Sequence, residues 1–161
     1  MAVLPIVKYP ASVLRKKATD VPREAIILHY YFIQDMIDTM KANEGIGLAS
    51  PQVGNSEQII LASYKTGIDP MVLINPRISS VDGPTETMVE GCLSFPYLQV
   101  AVTRPKDFVV HYLDEKGKEH RKIVGGLLGR VILHEIDHLD GKLLIDRLPF
   151  WQRLKYRYAR R

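Results

Sequence analysis

The pentad His134-Glu-Ile-Asp-His138 carries the chemistry that can be read first. Residues i and i+4 lie on one helix face, one turn apart. Two imidazoles placed so can both reach one divalent ion at about 2.0–2.1 Å. Glu135 is next in sequence to the first histidine, so its carboxylate projects beside that face without being a ligand. A bound ion makes water acidic near neutral pH, and a nearby carboxylate can take that proton and return it. The competing reading is a chance pentad on a surface helix, with two solvated histidines. Against it, Arg130, His134, Glu135, Asp137 and His138 interrupt a segment otherwise made of Leu127, Leu128, Val131, Ile132, Leu133, Ile136 and Leu139. Burying unsatisfied polar groups costs roughly 2–7 kcal/mol each, so in such a helix they must be paired or metal-bound.

A catalytic site of this kind uses three protein ligands and keeps one position open. In the extended pattern HExxHxxGxxH, Gly141 fits, but the last histidine falls on Leu144. No Glu or His follows His138; only Asp140 and Asp146 remain, and Asp140 sits too near the helix end. The third ligand must come from upstream, and Cys92 is the candidate. A lone cysteine is most often an inert, buried residue. Here it stands in Glu90-Gly-Cys-Leu-Ser-Phe-Pro96, where Gly91 and Pro96 bracket what reads as an irregular segment able to approach a helix. A thiolate would complete a Cys/His/His set.

The elements that must hold these residues follow from periodicity. Asp20, Val21 and Pro22 read as a helix start, an acidic cap followed by proline. Ile26, Tyr30, Ile33, Ile37 and Met40 then form one buried stripe, and Gly45 suits a left-handed cap. Three glycines and a proline in residues 45–54 exclude regular structure for most of that segment. Strand patterns cover 58–63, 71–75, 98–103, 107–113 and 119–124. Asp114-Glu-Lys-Gly117 reads as a hairpin turn. The segment from about 125 to 141 is apolar nearly all round, so it is expected inside the protein. A last helix from about Pro149 carries Leu148, Trp151, Leu154 and Tyr158 on one side. The whole is expected to be one α+β domain spanning 1–161.

The bulk numbers agree with an ordinary globular protein. The chain has 161 residues, 46% hydrophobic and 25% charged, enough to bury a sizeable core. The N-terminus lacks a basic start, and Pro5 breaks its apolar stretch, so a signal peptide is not expected. No apolar run is long enough for a membrane span. A single cysteine fits a reducing compartment, hence a cytoplasmic location. The net charge is +4, yet Arg153, Lys155, Arg157, Arg160 and Arg161 fall in the last nine residues without one acid. The body is close to neutral, so any attraction for polyanions sits in the tail.

GIGLASPQVG (45–54), EGCLS (90–94) and HEIDHLDG (134–141), in that order, resemble the three motifs of the peptide deformylases. The likeness extends from the VLRKKA segment to the last helix. It implies a hydrolase of protein biosynthesis that removes the formyl group from N-formylmethionine on nascent peptides and releases formate. It implies Fe²⁺ on Cys92, His134 and His138, with Zn²⁺, Ni²⁺ or Co²⁺ able to occupy the site. Glu135 matches the catalytic acid/base. Gln52, through its amide, and Leu93, through its backbone N–H, match groups that bind the substrate carbonyl. Ile46, Gly47, Leu127 and Val131 match positions of a methionine-sized pocket; ordinary core is an equal reading for them. Glu44 and Arg104 match a structural ion pair. Similar proteins contact the ribosome through the last helix, and a monomer is expected. Ser50, Leu133 and Gln99 depart from the family's usual alanine, glutamine and arginine. Three rivals remain at this point: a metallopeptidase that cuts internal peptide bonds, a protein using its ion only structurally, and a ribosome- or RNA-binding module carried by the basic tail, which need not exclude the enzyme.

Overall fold

The computed structural model describes residues 2–79 and 83–158, without the side chains of Lys155, Arg157 and Tyr158. Residues 2–10 form an extended arm, followed by a 3-10 turn over Ser12–Arg15. A 3-10 segment, Arg23–His29, runs directly into helix α1, Tyr30–Ala42. This corrects the expected start. Pro22 precedes the helix without a side-chain cap, and Asp20 instead accepts two hydrogen bonds from Arg77, both 2.7 Å. The change from three to 3.6 residues per turn at Tyr30 shifts the buried face. Tyr30 is left exposed, and Met36 joins Ile26, Ile33 and Met40 in the core. The end of α1 also differs from expectation. Gly45 N–H donates to the Met40 carbonyl and Glu44 N–H to that of Lys41. That bonding pattern puts the left-handed residue one place earlier, and Glu44 adopts it with φ 52°.

The strands are β1 Gly47–Ala49, β2 Ile59–Ala62, β3 Met71–Ser79, β4 Thr85–Cys92, β5 Phe95–Pro105, β6 Asp107–Leu113 and β7 Glu119–Gly125. Five of them make an antiparallel sheet in the order β1-β2-β3-β6-β7; β4 and β5 pair separately. Residues 45–54 are thus more regular than their glycines imply. β1 pairs with β2, and a 3-10 turn spans Ser50–Val53. β4 has no apolar alternation and is mostly exposed; its pairing with β5 makes it a strand. Cys92 lies opposite Phe95 across a turn at Leu93-Ser94, so the segment expected to be irregular is the tip of a hairpin. The expected turn at 114–117 is present, with Gly117 N–H donating to the Asp114 carbonyl.

Helix α2, Gly126–Leu139, leaves β7 through Gly126, whose φ of 57° favours glycine. Its Ile132, Leu133 and Leu139 pack on one face of the large sheet with Ile60, Leu73 and Val110. α1 covers the opposite face through Ile33, Met36 and Met40 against Ile59, Leu61 and Ile74. All four residues of β2 are buried for this reason. A third cluster joins the β4–β5 hairpin to the arm and to Leu143–Ile145. The last helix, α3, spans Phe150–Tyr158. Its expected apolar stripe is only partly docked. Trp151 is 76% exposed, while Leu148 and Tyr156 pack against the third cluster. Arg160 and Arg161, with the side chains of Lys155, Arg157 and Tyr158, lie outside the described residues. Arg153 is not a free surface cation: it donates to the carbonyls of Asp146 and Leu148. Among the described residues no helix is long and apolar enough to cross a membrane.

Candidate metal centre

Helix α2 presents His134 and His138 toward the tip of the β4–β5 hairpin. Cys92 Sγ lies 3.2 Å from His138 Nε2, and one donor atom from each of Cys92, His134 and His138 lies within 4.8 Å of the others. Ligand bonds of about 2.0–2.3 Å let one divalent ion touch atoms spaced in this way. His134 Nδ1 bonds to Glu90 Oε2 at 2.9 Å, leaving Nε2 as its donor atom. A carboxylate behind a ligand histidine fixes the ring's tautomer and orientation. His138 Nδ1 and Glu135 Oε2 are buried without a hydrogen-bond partner. Unpartnered buried polar atoms are rare unless a site uses them.

The electrostatics favour a cation. Burial works against the Glu90 carboxylate, but hydrogen bonds and charge from Arg104 and His134 outweigh it and lower its pKa to about 2. Burial alone would draw His134 down. Hydrogen bonds to Cys92 and Glu90, with the Glu135 and Cys92 charges, instead raise it to about 10. His138 is pushed well below its ordinary value by burial and by the cationic His134 and Arg104, so its imidazole is neutral. Burial lifts Glu135 to about 7 despite those same two cations. The Glu90, Glu135 and Cys92 groups thus draw positive charge to this cluster; a divalent ion would take the place of the His134 proton, and the Cys/His/His donor set fits one.

A cavity of about 380 Å³ opens on this cluster. Ile46, Gly47, Gln52, Leu93, Leu127 and Val131 line it, together with Cys92, His134 and Glu135. Gln52 is held by its carbonyl, which accepts the Ala49 N–H at 2.8 Å. Its amide nitrogen therefore faces Ser94 Oγ at 3.2 Å and Cys92 Sγ at 3.5 Å. Gly47 must be glycine for a steric reason. A Cβ there would stand 2.3 Å from Glu135 Oε1 and 2.6 Å from Val131 Cγ1.

The expected Glu44–Arg104 pair does not form. Arg104 donates to both oxygens of Glu90, at 2.7 and 2.9 Å, and to Asp137 at 2.9 Å. The reason is topological. The β4–β5 register sets Arg104 opposite Glu86, and from there its side chain reaches Glu90 on β4 and Asp137 on α2, whereas Glu44 sits at the cavity rim. Arg130 completes this group, donating to Glu90 and to the carbonyls of Val102 and Glu86. The supporting roles of Glu90, Arg130, Asp137 and Ser94 were missed from sequence. The available signal was that Arg130 and Asp137 sit in an apolar helix and so need partners. The departures are accommodated: the Ser50 hydroxyl donates to the Glu57 carbonyl, Leu133 is buried in the core, and Gln99 is exposed.

The polypeptide deformylase family model matches residues 3–153. A peptide deformylase of Chlorobaculum parvum is 42% identical over 158 residues, covering 95% of this chain and 83% of that protein. The crystal structure of the Thermotoga maritima peptide deformylase superposes with a TM-score of 0.86 at 38% identity, covering 92% of this chain and 99% of that one. The peptide deformylase of Acinetobacter baumannii with Met-Ala-Ser bound gives 0.85 at 29% identity, covering 91% and 99%. With family model, relatives and solved structures in agreement over nearly its whole length, the chain belongs to the peptide deformylase family, whose members are metal-dependent enzymes that remove the N-formyl group from nascent polypeptides.

Proposed function

We propose that residues 1–161 form one catalytic domain that deformylates methionyl nascent chains through Cys92, His134, His138 and Glu135. Fe²⁺ is the native ion in this reading, and Zn²⁺, Ni²⁺ or Co²⁺ can replace it. The observation that carries the reading is the three-donor cluster beside a buried, unpartnered Glu135 oxygen in a cavity lined by apolar side chains. A divalent ion held there supplies a polarised carbonyl and an acidified water. Glu135 takes the proton of the attacking water and delivers it to the departing amine nitrogen. The Leu93 N–H and the Gln52 amide meet the charge that grows on the formyl oxygen. Ile46, Gly47, Leu127 and Val131 receive the methionine side chain; the bound Met-Ala-Ser of the Acinetobacter baumannii relative supports a methionyl ligand. The formyl carbon bears only hydrogen, so a narrow approach admits it and rejects acetyl.

In this reading the protein works in the cytoplasm as a monomer, and its basic C-terminal residues contact ribosomal phosphate. The test is formate release from formyl-Met-Ala-Ser by chelator-stripped protein before and after anaerobic iron addition, with casein hydrolysis and circular dichroism in parallel. The expected result is formate release only after iron addition, intact casein, and a fold that survives chelation. Casein cleavage would favour a metallopeptidase, and unfolding on chelation would favour a structural ion.

A further inference from the structure

The extended arm at the N-terminus touches the same short segments that the proposed function uses. Leu4 and Ile6 pack with the cluster under α1, whereas Val7 and Tyr9 pack with the cluster under the β4–β5 hairpin. The arm is anchored on α1, where Ala2 N–H donates to Asp35 and Leu4 N–H to Thr39 Oγ1, each at 2.8 Å. Its next residues bond to the site's backbone. Val7 N–H donates to the Gln52 carbonyl at 2.8 Å, and Tyr9 N–H to the Ser94 carbonyl at 3.1 Å. Between them, the exposed Lys8 sends its ammonium to the Leu93 carbonyl at 2.6 Å. Three consecutive residues therefore hold the carbonyls of Gln52, Leu93 and Ser94. These belong to two separate pieces of chain, the 3-10 turn after β1 and the tip of the β4–β5 hairpin. That hairpin has no strand pairing with the large sheet among the described residues. Something other than the sheet must set the distance between Gln52 and Leu93.

We propose that the arm is a strap across these two segments, and that Lys8 is a positioning residue that aims the Leu93 turn for the reaction. The inference rests on the roles given above to Leu93 and Gln52. A charge-assisted hydrogen bond is stronger than a neutral one. Holding the Leu93 carbonyl fixes the peptide plane between Leu93 and Ser94, and so restricts the dihedrals that direct the N–H of the same residue. Groups that meet charge developing in the transition state lose effect steeply with small displacements. Lys8 touches neither substrate nor ion in this arrangement, so its removal should act on turnover and spare ground-state binding.

The experiment compares the iron-loaded full chain with Lys8→Met, Lys8→Arg and Gln52→Leu on formyl-Met-Ala-Ser. Amide hydrogen exchange at residues 92–95 is measured in parallel. Lys8→Met should lower kcat about tenfold, a fraction of the roughly 10²–10³-fold loss of a whole oxyanion donor. KM should stay within about twofold, and exchange at Leu93 and Ser94 should accelerate; the pattern is that of an interaction made in the transition state. Lys8→Arg should restore kcat, because it retains a cationic donor. Unchanged kcat in Lys8→Met overturns the strap, as does a loss that Lys8→Arg fails to restore. Gln52→Leu separates the two claims. If Gln52→Leu is impaired and Lys8→Met is not, only the strap fails. If Gln52→Leu turns over normally, the role of Gln52 fails, and the Lys8 result decides the strap on Leu93 alone.

Discussion

Helix α2 buries Arg130, His134, Glu135 and His138, while α3 leaves Phe150 and Trp151 64% and 76% exposed. The two helices invert the usual distribution in opposite senses, and the inversions do not mean the same thing. A polar group taken out of water must find a partner or be used. On α2, Arg130 is fully engaged by Glu90 and two carbonyls. His134 is backed by Glu90, and Glu135, with one buried oxygen unpartnered, lines the cavity. An apolar side chain in water carries no comparable obligation, since much of any protein surface is apolar. Phe150 and Trp151 meet edge to face with ring centroids 5.3 Å apart and otherwise need no account. Buried polarity on α2 thus points to chemistry, and exposed apolarity on α3 does not.

The comparison can be broken at four places of decreasing effect. Glu135→Ala should lower kcat/KM for formyl peptide by at least about 10²–10⁴-fold, with metal content unchanged by elemental analysis. Arg130→Met should cost about 1–3 kcal/mol of stability, read from the denaturation midpoint. It removes one cation from buried Glu90 and orphans two carbonyls, while Arg104 still pairs the carboxylate. Asp146→Asn, just before α3, should cost about 1 kcal/mol, because its partner Arg15 is partly solvated. Burial opposes the Asp146 carboxylate, but bonds from Arg15 and the Leu143 N–H lower its pKa. A lowered carboxylate stabilises the fold above its unfolded pKa, and that contribution is lost as pH falls through the folded value. The gap between Asp146→Asn and the parent should therefore be level above about pH 4 and close on further acidification. Removing residues 157–161 keeps Tyr156 against Tyr9 and Phe95. It should leave hydrolysis of short formyl peptides unchanged and weaken only the salt-sensitive part of ribosome co-sedimentation.

Much of this was legible in the sequence, and the illegible parts share a cause. The helix spacing of His134 and His138 needed only local geometry, and Cys92 emerged because no downstream ligand exists. β2 was readable because its apolar run is buried on both sides. β4 was not: Thr85–Cys92 shows neither alternation nor a continuous apolar run, and only its partner β5 defines it. The acid that Arg104 pairs with is not legible, because it depends on how the β4–β5 hairpin packs on α2, which brings the Arg104 side chain to Glu90 and Asp137. The buried face of α1 was shifted by the 3-10 segment before it, whose pitch leaves no mark in residue types. Trp151 was given a docking role from helical spacing alone, which cannot show whether a surface lies opposite.

The central claim is that Cys92, His134 and His138 hold one ion together. X-ray absorption at the zinc edge, on zinc-loaded protein with and without Cys92→Ala, tests it directly. The predicted result is one sulfur at about 2.3 Å and two imidazole nitrogens at about 2.0–2.1 Å, with the sulfur shell lost in Cys92→Ala. A spectrum fitted by nitrogen and oxygen alone, identical in both proteins, would contradict it.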